Sequence, residues 1–368
     1  MPNRNLIAFL FISFISGAAL LTAQPKPEAD TITFTSGEKL AGHFVSANAS
    51  SVTFKSDILG DLTVDWSKVK ELQTSAAVAV VPKGVKIHKR GDVSAVPQGT
   101  LAESNQTIQL TPPNSIPVGD VNVVIDQPSF QKAVTETPNF FRNWKGALTA
   151  GASLVEATQN SRTFTGGVAL VRTEPTQSWM DPNNRTAINF AESYGEVTQP
   201  NTPTVKTSIF HFDAQRDEYF THSMFAFAEG ALDHNYSQGL DLQQTYNGGI
   251  GWSPINTANQ NLNLKASMSY TRQQFSVGPS MNLIGSVFGE DYMRKLPRGM
   301  VFTERGSVTP AWNNTDAYSA AFSALLTIPV FKRLSGSMGV IDSFLNDPPP
   351  GFKKNSFQFT LGVAYSIQ

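Results

Sequence analysis

The sequence FQFTLGVAYSIQ at residues 357–368 alternates strictly between two kinds of side chain. Its odd positions carry Phe, Leu, Val, Tyr or Ile, and its even positions are small or polar. A repeat of two residues places each set on its own face of a β-strand. The alternation lasts as long as a tilted strand needs to cross a bilayer, roughly 9–11 residues. The stretch therefore favours a membrane-spanning strand over an edge strand of a soluble β-sandwich.

The same stretch contains a spacing that resembles an assembly signal. Thr360, Gly362, Tyr365 and Ile367 follow a polar–x–Gly–x–x–aromatic–x–hydrophobic order, similar to the signal that the barrel-assembly machinery reads in outer-membrane barrels. The sequence has Gln368 where such signals carry a terminal aromatic residue. We predict that these residues direct assembly, with the tyrosine ring in lipid near the periplasmic interface and its hydroxyl group in reach of water.

The overall composition narrows the classes of protein to consider. Hydrophobic residues make up 40% of the 368 positions and charged residues only 15%, which excludes a disordered or nucleic-acid-binding protein. Because the sequence has no cysteine, a disulfide framework, a thiolate metal site and a thiol nucleophile are excluded. A mean hydropathy of −0.18 is too polar for a helical membrane protein, but it suits a β-barrel, whose apolar residues occupy alternate positions.

The chain before residue 143 divides into four segments. Residues 1–23 combine Arg4 with a short apolar run and small residues, which is typical of a secretory signal peptide. Residues 24–75 contain short strands separated by turn residues, which predicts a small antiparallel β-module. Residues 76–126 repeat this order of strands and suggest a second copy of the module. Residues 127–142 are predicted to be a linker with at most one helical turn.

A cluster of basic residues lies near the predicted junction of the two modules. Its members are Lys83, Lys86, His88, Lys89 and Arg90. A short basic run is usually a solvated loop, so we assign no ligand to it.

Residues 143–368 are the predicted barrel domain, because alternating segments and turn residues recur there at near-regular spacing. The predicted strands are residues 144–156, 164–174, 185–195, 206–215, 223–233, 242–252, 261–273, 281–293, 300–312, 317–331, 334–344 and 356–368. These twelve segments predict an all-β fold: an antiparallel transmembrane β-barrel of about 12 strands, preceded by one or two small periplasmic β-modules. Both ends of the barrel sequence should then lie in the periplasm, and the periplasmic turn at 175–184 is unusually long.

The alternation also predicts the two faces of the barrel wall. Leu264, Phe322 and Leu361 fall on the apolar face, which we expect to contact lipid. Lys265 and Ser323 fall on the opposite face, towards the lumen. Charged residues predicted to form a network in the lumen are Asp213, Glu229, Asp233, Lys265, Glu290, Glu304 and Arg305.

Four stretches of the barrel domain are similar to a known family, the salt-induced outer-membrane proteins, which have no established activity. These stretches are NWKGALTAGAS at residues 143–153, residues 246–251, NDPPPGFKKN at residues 346–355, and the terminal strand. The most specific is the loop with Pro348, Pro349, Pro350, Gly351, Lys353 and Lys354. The resemblance covers about residues 140–368 and implies an outer-membrane β-barrel, with a link to osmotic or salt stress.

An enzymatic alternative requires a serine nucleophile beside a histidine, as in a lipid hydrolase or acyltransferase of the outer membrane. The candidates are His234 with Ser237, and His211 with Asp213 and Ser208. Neither set lies in a nucleophile elbow, and polar residues line any barrel lumen. The five histidines show no metal-ligand spacing.

Two functions therefore remain in consideration. The first is a non-enzymatic outer-membrane barrel of a Gram-negative-type bacterium, with a structural or narrow-pore role and a periplasmic N-terminal region. Its expected partners are outer-membrane lipid, the barrel-assembly machinery and a periplasmic partner of the N-terminal modules, with no cofactor, metal or nucleic acid. The alternative is an outer-membrane enzyme that modifies lipid or lipopolysaccharide.

Overall fold

A computed structural model describes residues 29–91, 93–136, 138–155, 160–199 and 203–367. The predicted signal peptide lies outside these residues. The chain forms two compact units: Met1–Val80 with Pro97–Gln127, called here the N-terminal unit, and Val81–Val96 with Pro128–Gln368, called the barrel unit. No helix in the described part of the chain is long and apolar enough to cross a membrane.

The N-terminal unit contains a single nine-stranded sheet. Its strands are β1 (Asp30–Phe34), β2 (Lys39–Asn48), β3 (Ser51–Ser56), β4 (Gly60–Asp65), β5 (Val69–Pro82), β6 (Gln98–Ser104), β7 (Thr107–Thr111), β8 (Asn114–Pro117) and β9 (Val121–Asp126). The pairing order is β4-β3-β2-β1-β5-β6-β7-β8, and β9 pairs with β2 and β5. The long strand β5 pairs with both β1 and β6, so it joins the two halves of the sheet.

The two stretches predicted as separate modules share one hydrophobic core. Ile32, Phe54 and Leu72 from the first stretch belong to the same buried cluster as Leu101 and Ile108 from the second. Strand β9 returns to pair with β2, which brings the end of the second stretch back onto the first. The repeat of strand order is therefore a repeat of hairpins within one sheet, because neither set of hairpins buries its apolar face alone.

The predicted linker contains helix α1 (Gln127–Thr135), which is longer than the single turn expected. Phe130 and Val134 lie one helical turn apart and are both buried. In the barrel unit, the ring of Phe130 stacks on Trp179 at 5.6 Å, and the carbonyl oxygen of Val134 accepts a hydrogen bond of 3.0 Å from the backbone N–H of Arg90. Helix α1 therefore lies against the turn that follows the second barrel strand.

The barrel unit contains a closed antiparallel barrel of twelve strands, as predicted. The strands are β10 (Lys145–Val155), β11 (Asn160–Glu174), β12 (Asn184–Thr198), β13 (Val205–Tyr219), β14 (Met224–Asn235), β15 (Leu240–Asn256), β16 (Gln260–Phe275), β17 (Met281–Lys295), β18 (Val301–Thr309), β19 (Ser319–Phe331), β20 (Leu334–Leu345) and β21 (Asn355–Ile367). Strand β18 is shorter than predicted and ends just before Pro310, which has no N–H group for the ladder. The barrel closes where β21 pairs with β10, with Leu148 opposite Tyr365.

The strand register confirms the predicted faces. Leu264, Phe322 and Leu361 point outward and are 39%, 40% and 61% exposed. Lys265 and Ser323 point into the lumen, next to outward-facing neighbours on the same strands. The outer wall is therefore apolar along the same strands whose inner face is polar.

The long turn between β11 and β12 is held by residues from earlier in the chain. Lys89 lies 3.4 Å from Glu174, and both side chains are buried. The backbone N–H of Asp181 donates to the carbonyl oxygen of Ile87, and the Asp181 carboxylate lies 3.1 Å from Nδ1 of His222. The prediction of a solvated basic loop is therefore wrong for Lys89, because a buried glutamate neutralises its charge.

Candidate functional site: a charged network across the barrel lumen

Charged side chains from opposite walls of the barrel meet in its lumen. One group comes from β12, β13 and β14, and the other from β16, β17 and β18. The members, which we call the partition, are Arg185, His211, Asp213, Asp217, Asp233, Lys265, Asp291 and Arg305.

Asp213 on β13 is the first centre of the partition and is only 1% exposed. Its Oδ1 accepts from Nη1 of Arg305 on β18 at 2.8 Å, and its Oδ2 accepts from Nδ2 of Asn189 at 2.8 Å. Strands β13 and β18 are five positions apart in a ring of twelve. An eight-stranded barrel is about the size that side chains can fill, so a direct bridge across twelve strands requires an oval cross-section at this level.

Asp291 on β17 is the second centre and binds three cationic groups. Its Oδ1 accepts from Nε of Arg305 at 2.8 Å, while its Oδ2 lies 2.9 Å from Nζ of Lys265 and 3.9 Å from Nη2 of Arg185. Arg185 in turn donates from Nε to Asp217 at 2.8 Å. Each cation in this chain of contacts thus has a carboxylate, which is what a charge removed from water requires.

His211 joins two carboxylates on its own side of the lumen. Its Nδ1 lies 2.6 Å from Asp233 and its Nε2 lies 3.0 Å from Asp213. An ionised carboxylate can only accept, so both contacts are hydrogen bonds when both ring nitrogens carry protons. In that form, His211 balances the additional negative charge of Asp233.

The lumen is packed on the side of the partition that faces β14, β15 and β16. Most inward residues there are buried, among them Phe225, Asn263 and Gln273. The ring of Phe225 occupies the space that a side chain at Gly251 would need. The partition therefore has a filled side, and its other side faces β19, β20, β21, β10 and β11.

The loop with the three prolines lies over one end of the barrel. Residues 346–354 contact the turn at 236–239, and together we call these two segments the mouth bridge. Gln238, which is 3% exposed, donates from Nε2 to the carbonyl oxygen of Lys354 at 2.7 Å. Gly239 adopts a φ of +65°, and a Cβ there would lie 2.9 Å from the ring of Phe352. The mouth bridge thus connects the β14–β15 turn to the β20–β21 loop across the barrel opening.

The other residues of this loop have mixed environments. Pro349 is buried, whereas Pro350 and Lys353 are exposed and Pro348 is half-buried. Gly351 has a φ of +94°, a conformation that favours glycine. Nζ of Lys354 donates to the side chain of Asn346 at 3.0 Å. The loop is therefore shaped by its own backbone turn and by its contact with the opposite side of the mouth.

The structure does not bring together the residues of either enzymatic candidate. His234 points outward and its Nδ1 contacts the carbonyl oxygen of Asp241 at 2.8 Å, whereas Ser237 donates to Asn235. His211 points into the lumen, but Ser208 lies on the outward face of the same strand. Among the described residues, no group of three or more His, Asp or Glu side chains is placed to hold a metal ion.

Five of the seven charged residues predicted for the lumen do point into it: Asp213, Glu229, Asp233, Lys265 and Arg305. Glu290 and Glu304 do not, because they lie opposite the outward Leu264 and Tyr292. The residues that the sequence reasoning missed are Arg185, Asp217 and Asp291. Polar residues stand at both Glu290 and Asp291, so the alternation does not distinguish the inward one.

A family model described as "Protein of unknown function, DUF481" matches residues 148–367. The chain belongs to the DUF481 family. The match begins within β10 and ends at the last residue of β21, so it covers the barrel strands and leaves out the N-terminal unit. No curated protein matches the sequence.

Three solved structures are similar to this DUF481 chain. The translocator domain of the autotransporter NalP from Neisseria meningitidis is 13% identical, with 60% of this chain and 87% of that chain covered and a TM-score of 0.32. The β-domain of the Bordetella autotransporter BrkA is 8% identical, with 61% of this chain and 98% of that chain covered and a TM-score of 0.28. The transport unit of the autotransporter AIDA-I from Escherichia coli is 11% identical, with 65% of this chain and 97% of that chain covered and a TM-score of 0.29.

The residues of the proposed assembly signal lie in β21, inside the DUF481 match. Tyr365 points outward and is 47% exposed, and Ile367 lies opposite Gly146 on the neighbouring first strand. Thr360 and Gly362 point inward. A side chain at Gly362 would collide with the backbone of Ala150, so this glycine allows β21 to approach β10 closely.

Proposed function

We propose that this DUF481 protein is a non-enzymatic barrel of the outer membrane that acts as a narrow pore. The observation that carries the proposal is the difference between the two faces of the barrel wall. Outward positions hold exposed apolar residues such as Met268, Ile250 and Phe359, while inward positions hold mostly small residues and hydroxyl, amide and charged groups. A closed barrel with an apolar outside and a polar inside satisfies its backbone hydrogen bonds within lipid.

The partition supports a narrow pore over a wide one. Arg305 and Asp213 join opposite walls directly, so a continuous central channel would have to break an ion pair. The mouth bridge restricts the opening at one end in addition. If the space that the partition and the mouth bridge leave in the lumen is too small for solutes, the barrel conducts nothing and its role is structural.

Both ends of the barrel sequence lie at one rim, where Gly146 pairs with Ile367. We place this rim in the periplasm, together with the N-terminal unit. Ile87 and helix α1 both contact the β11–β12 turn at this rim, so the chain that leads into β10 lies on the same side of the barrel as both barrel ends. A connection with osmotic or salt stress rests on the family resemblance, and growth of a null strain at raised salt concentration tests it.

The enzymatic alternative has less support. Catalysis by a serine nucleophile needs its base within hydrogen-bond distance, and His234 and His211 make their contacts elsewhere. Lipid analysis of a null strain should therefore show unchanged acyl chains and head groups.

The test of the main proposal combines location with conductance. We expect the protein in the outer-membrane fraction, with the heat-dependent gel mobility of a closed barrel, and small unitary currents after reconstitution in planar bilayers. Recovery of the intact chain from the periplasm without detergent would refute the membrane location. A normally folded barrel that gives no current and passes no solute would refute the pore while leaving a structural role.

A further inference from the structure

We infer that the pore runs along one side of the partition and carries small uncharged polar solutes. This inference rests on the proposed pore function and names the class of solute. It depends on the strands that complete the barrel opposite the packed side, namely β19, β20, β21, β10 and β11.

Small and hydroxyl-bearing residues line these five strands. Their inward positions, from the register, include Ala321, Ser323, Thr327, Ser335, Ser337, Gly339, Ser343, Gln358, Thr360, Ala364, Ala147, Thr149, Gly151, Thr163, Thr165 and Gly167. Larger apolar residues interrupt this wall at Leu325, Ile341, Leu345 and Val171. Within the described part of these strands, Lys145 at the end of β10 is the one charged residue at an inward position. The opposite half of the lumen, by contrast, holds the whole partition and Glu229.

Solvent exposure differs between the two halves in the same way. Asp217, Thr271 and Gln273, on or beside the packed side, are 1%, 4% and 1% exposed. On the other side, Ser323 and Ser337 are half-buried and Ala321 is exposed, and most inward positions there are likewise half-buried or exposed. Gly339, Leu345 and Ala364 are buried exceptions. Since all of these residues point inward, the difference indicates free space along β19, β20, β21, β10 and β11.

The chemistry of this wall favours uncharged solutes. Serine and threonine hydroxyl groups both donate and accept, so they can replace the water that a neutral polar solute loses on entry. An ion would need a compensating charge, because a narrow site surrounded by lipid solvates charge poorly. The charges of the partition are engaged with each other, as in the contacts of Asp291 with Arg305 and Lys265. They act as a wall and offer little attraction to either sign of ion.

Single cysteines can test the position of the pathway, because the natural sequence has none. Ser323→Cys and Ser337→Cys should react rapidly with a small water-soluble thiol reagent in the reconstituted full-length protein. The matched controls are Ser267→Cys, which is inward but on the packed side, and Ala324→Cys, which is outward beside Ser323. Both controls should react many times more slowly. A neutral reagent should also outpace charged reagents of equal size, relative to their rates with a free thiol.

Solute flux into liposomes provides the second measurement. Neutral polyols should enter faster than ions of similar size, and attachment of a bulky group at Ser323→Cys should lower this flux several-fold. If flux occurs but Ser267→Cys reacts faster than Ser323→Cys, or ions enter as fast as polyols, the pore stands and the inference fails. If a folded barrel passes nothing and both pathway cysteines are inert, the pore proposal fails together with the inference.

Discussion

The guanidinium group of Arg305 on β18 donates to Asp213 on β13 at 2.8 Å, across the lumen of the barrel. The same guanidinium group reaches Asp291 on the adjacent strand β17 through Nε. One side chain therefore ties two distant sections of the wall together, and the predictions on stability and conductance start from it.

Arg305→Gln should destabilise the barrel and increase its conductance. Asp213 would lose a charged partner in a site where it is 1% exposed. Breaking a buried pair costs roughly 3–5 kcal/mol, but the 36% exposure of the Arg305 side chain reduces our expectation to about 2 kcal/mol. Urea unfolding in detergent and single-channel recording would measure the two effects.

Arg216→Gln is the matched control for that substitution. Arg216 pairs with Glu218 on the outward face, and both side chains are well exposed. Its loss should cost roughly 0–1 kcal/mol and leave the conductance unchanged. Equal effects of the two substitutions would contradict a special role for the cross-lumen contact.

Neighbouring residues on β19 should respond oppositely to a new charge. Phe322→Arg places a guanidinium group on the outward face and should cost on the order of 2–4 kcal/mol if it lies near the bilayer midplane. Ser323→Glu adds a charge to the inward face directly opposite Arg305, which compensates it, and should be tolerated. Leu264→Arg and a charge-reversed Lys265→Glu extend the comparison of faces to β16, although the second also disturbs the ion pair with Asp291. Equal losses at Phe322 and Ser323 would argue against a lipid-facing wall.

Truncation should separate assembly of the barrel from the N-terminal unit. Deleting residues 365–368 removes Tyr365 from its position opposite Leu148 and leaves two strand edges with unpaired backbone groups in lipid. We expect the shortened chain to remain in the periplasm and be degraded. Deleting residues 30–72 removes β1 to β4 and part of β5, but no barrel strand, so assembly should proceed. Immunoblots of outer-membrane and periplasmic fractions distinguish these results, and normal insertion of the first truncation would contradict the role of Tyr365.

Glu103 should make the N-terminal unit less stable as the pH rises. The side chain is 1% exposed, and burial raises its pKa to about 7, helped by the Glu71 carboxylate and opposed by a hydrogen bond from the backbone N–H of Gln106. Below pH 4.5 the group is protonated in both folded and unfolded chains, so it contributes no difference there. Between pH 4.5 and about 7 only the folded form keeps the proton, so stability falls across this window and stays lower above it.

Glu103→Gln tests that expectation. The amide keeps the shape of the side chain and cannot ionise. At pH 8 the free energy of unfolding of the variant should therefore exceed that of the natural protein by on the order of 3 kcal/mol. The two proteins should converge near pH 4. Urea unfolding of the N-terminal unit, followed by fluorescence of the buried Trp66, would report the difference. Parallel pH profiles would mean that Glu103 ionises normally.

Much of the barrel follows from local sequence, and much of the candidate site does not. Alternation over ten or more residues specifies a strand and its two faces, so Leu264, Lys265, Phe322 and Ser323 could be assigned without coordinates. The pattern does not show which residues of β17 face the lumen, because Glu290 and Asp291 are adjacent and both acidic. The contact between Asp213 and Arg305 depends on an oval cross-section, which no local pattern encodes. Similarly, the single core of the N-terminal unit follows from β9 returning to β2, a pairing between distant segments.

The mouth bridge has a consequence for the order in which the chain folds. Gln238 and Lys354 are separated by 116 residues. Because closing so long a loop costs chain entropy, we expect their contact to form late in folding. Lys354 directly precedes β21, the strand whose pairing with β10 closes the barrel. The restriction of the opening can therefore form only when nearly the whole barrel is in register. An incompletely folded barrel would lack both its seam and this cover, and would leak more than the finished protein.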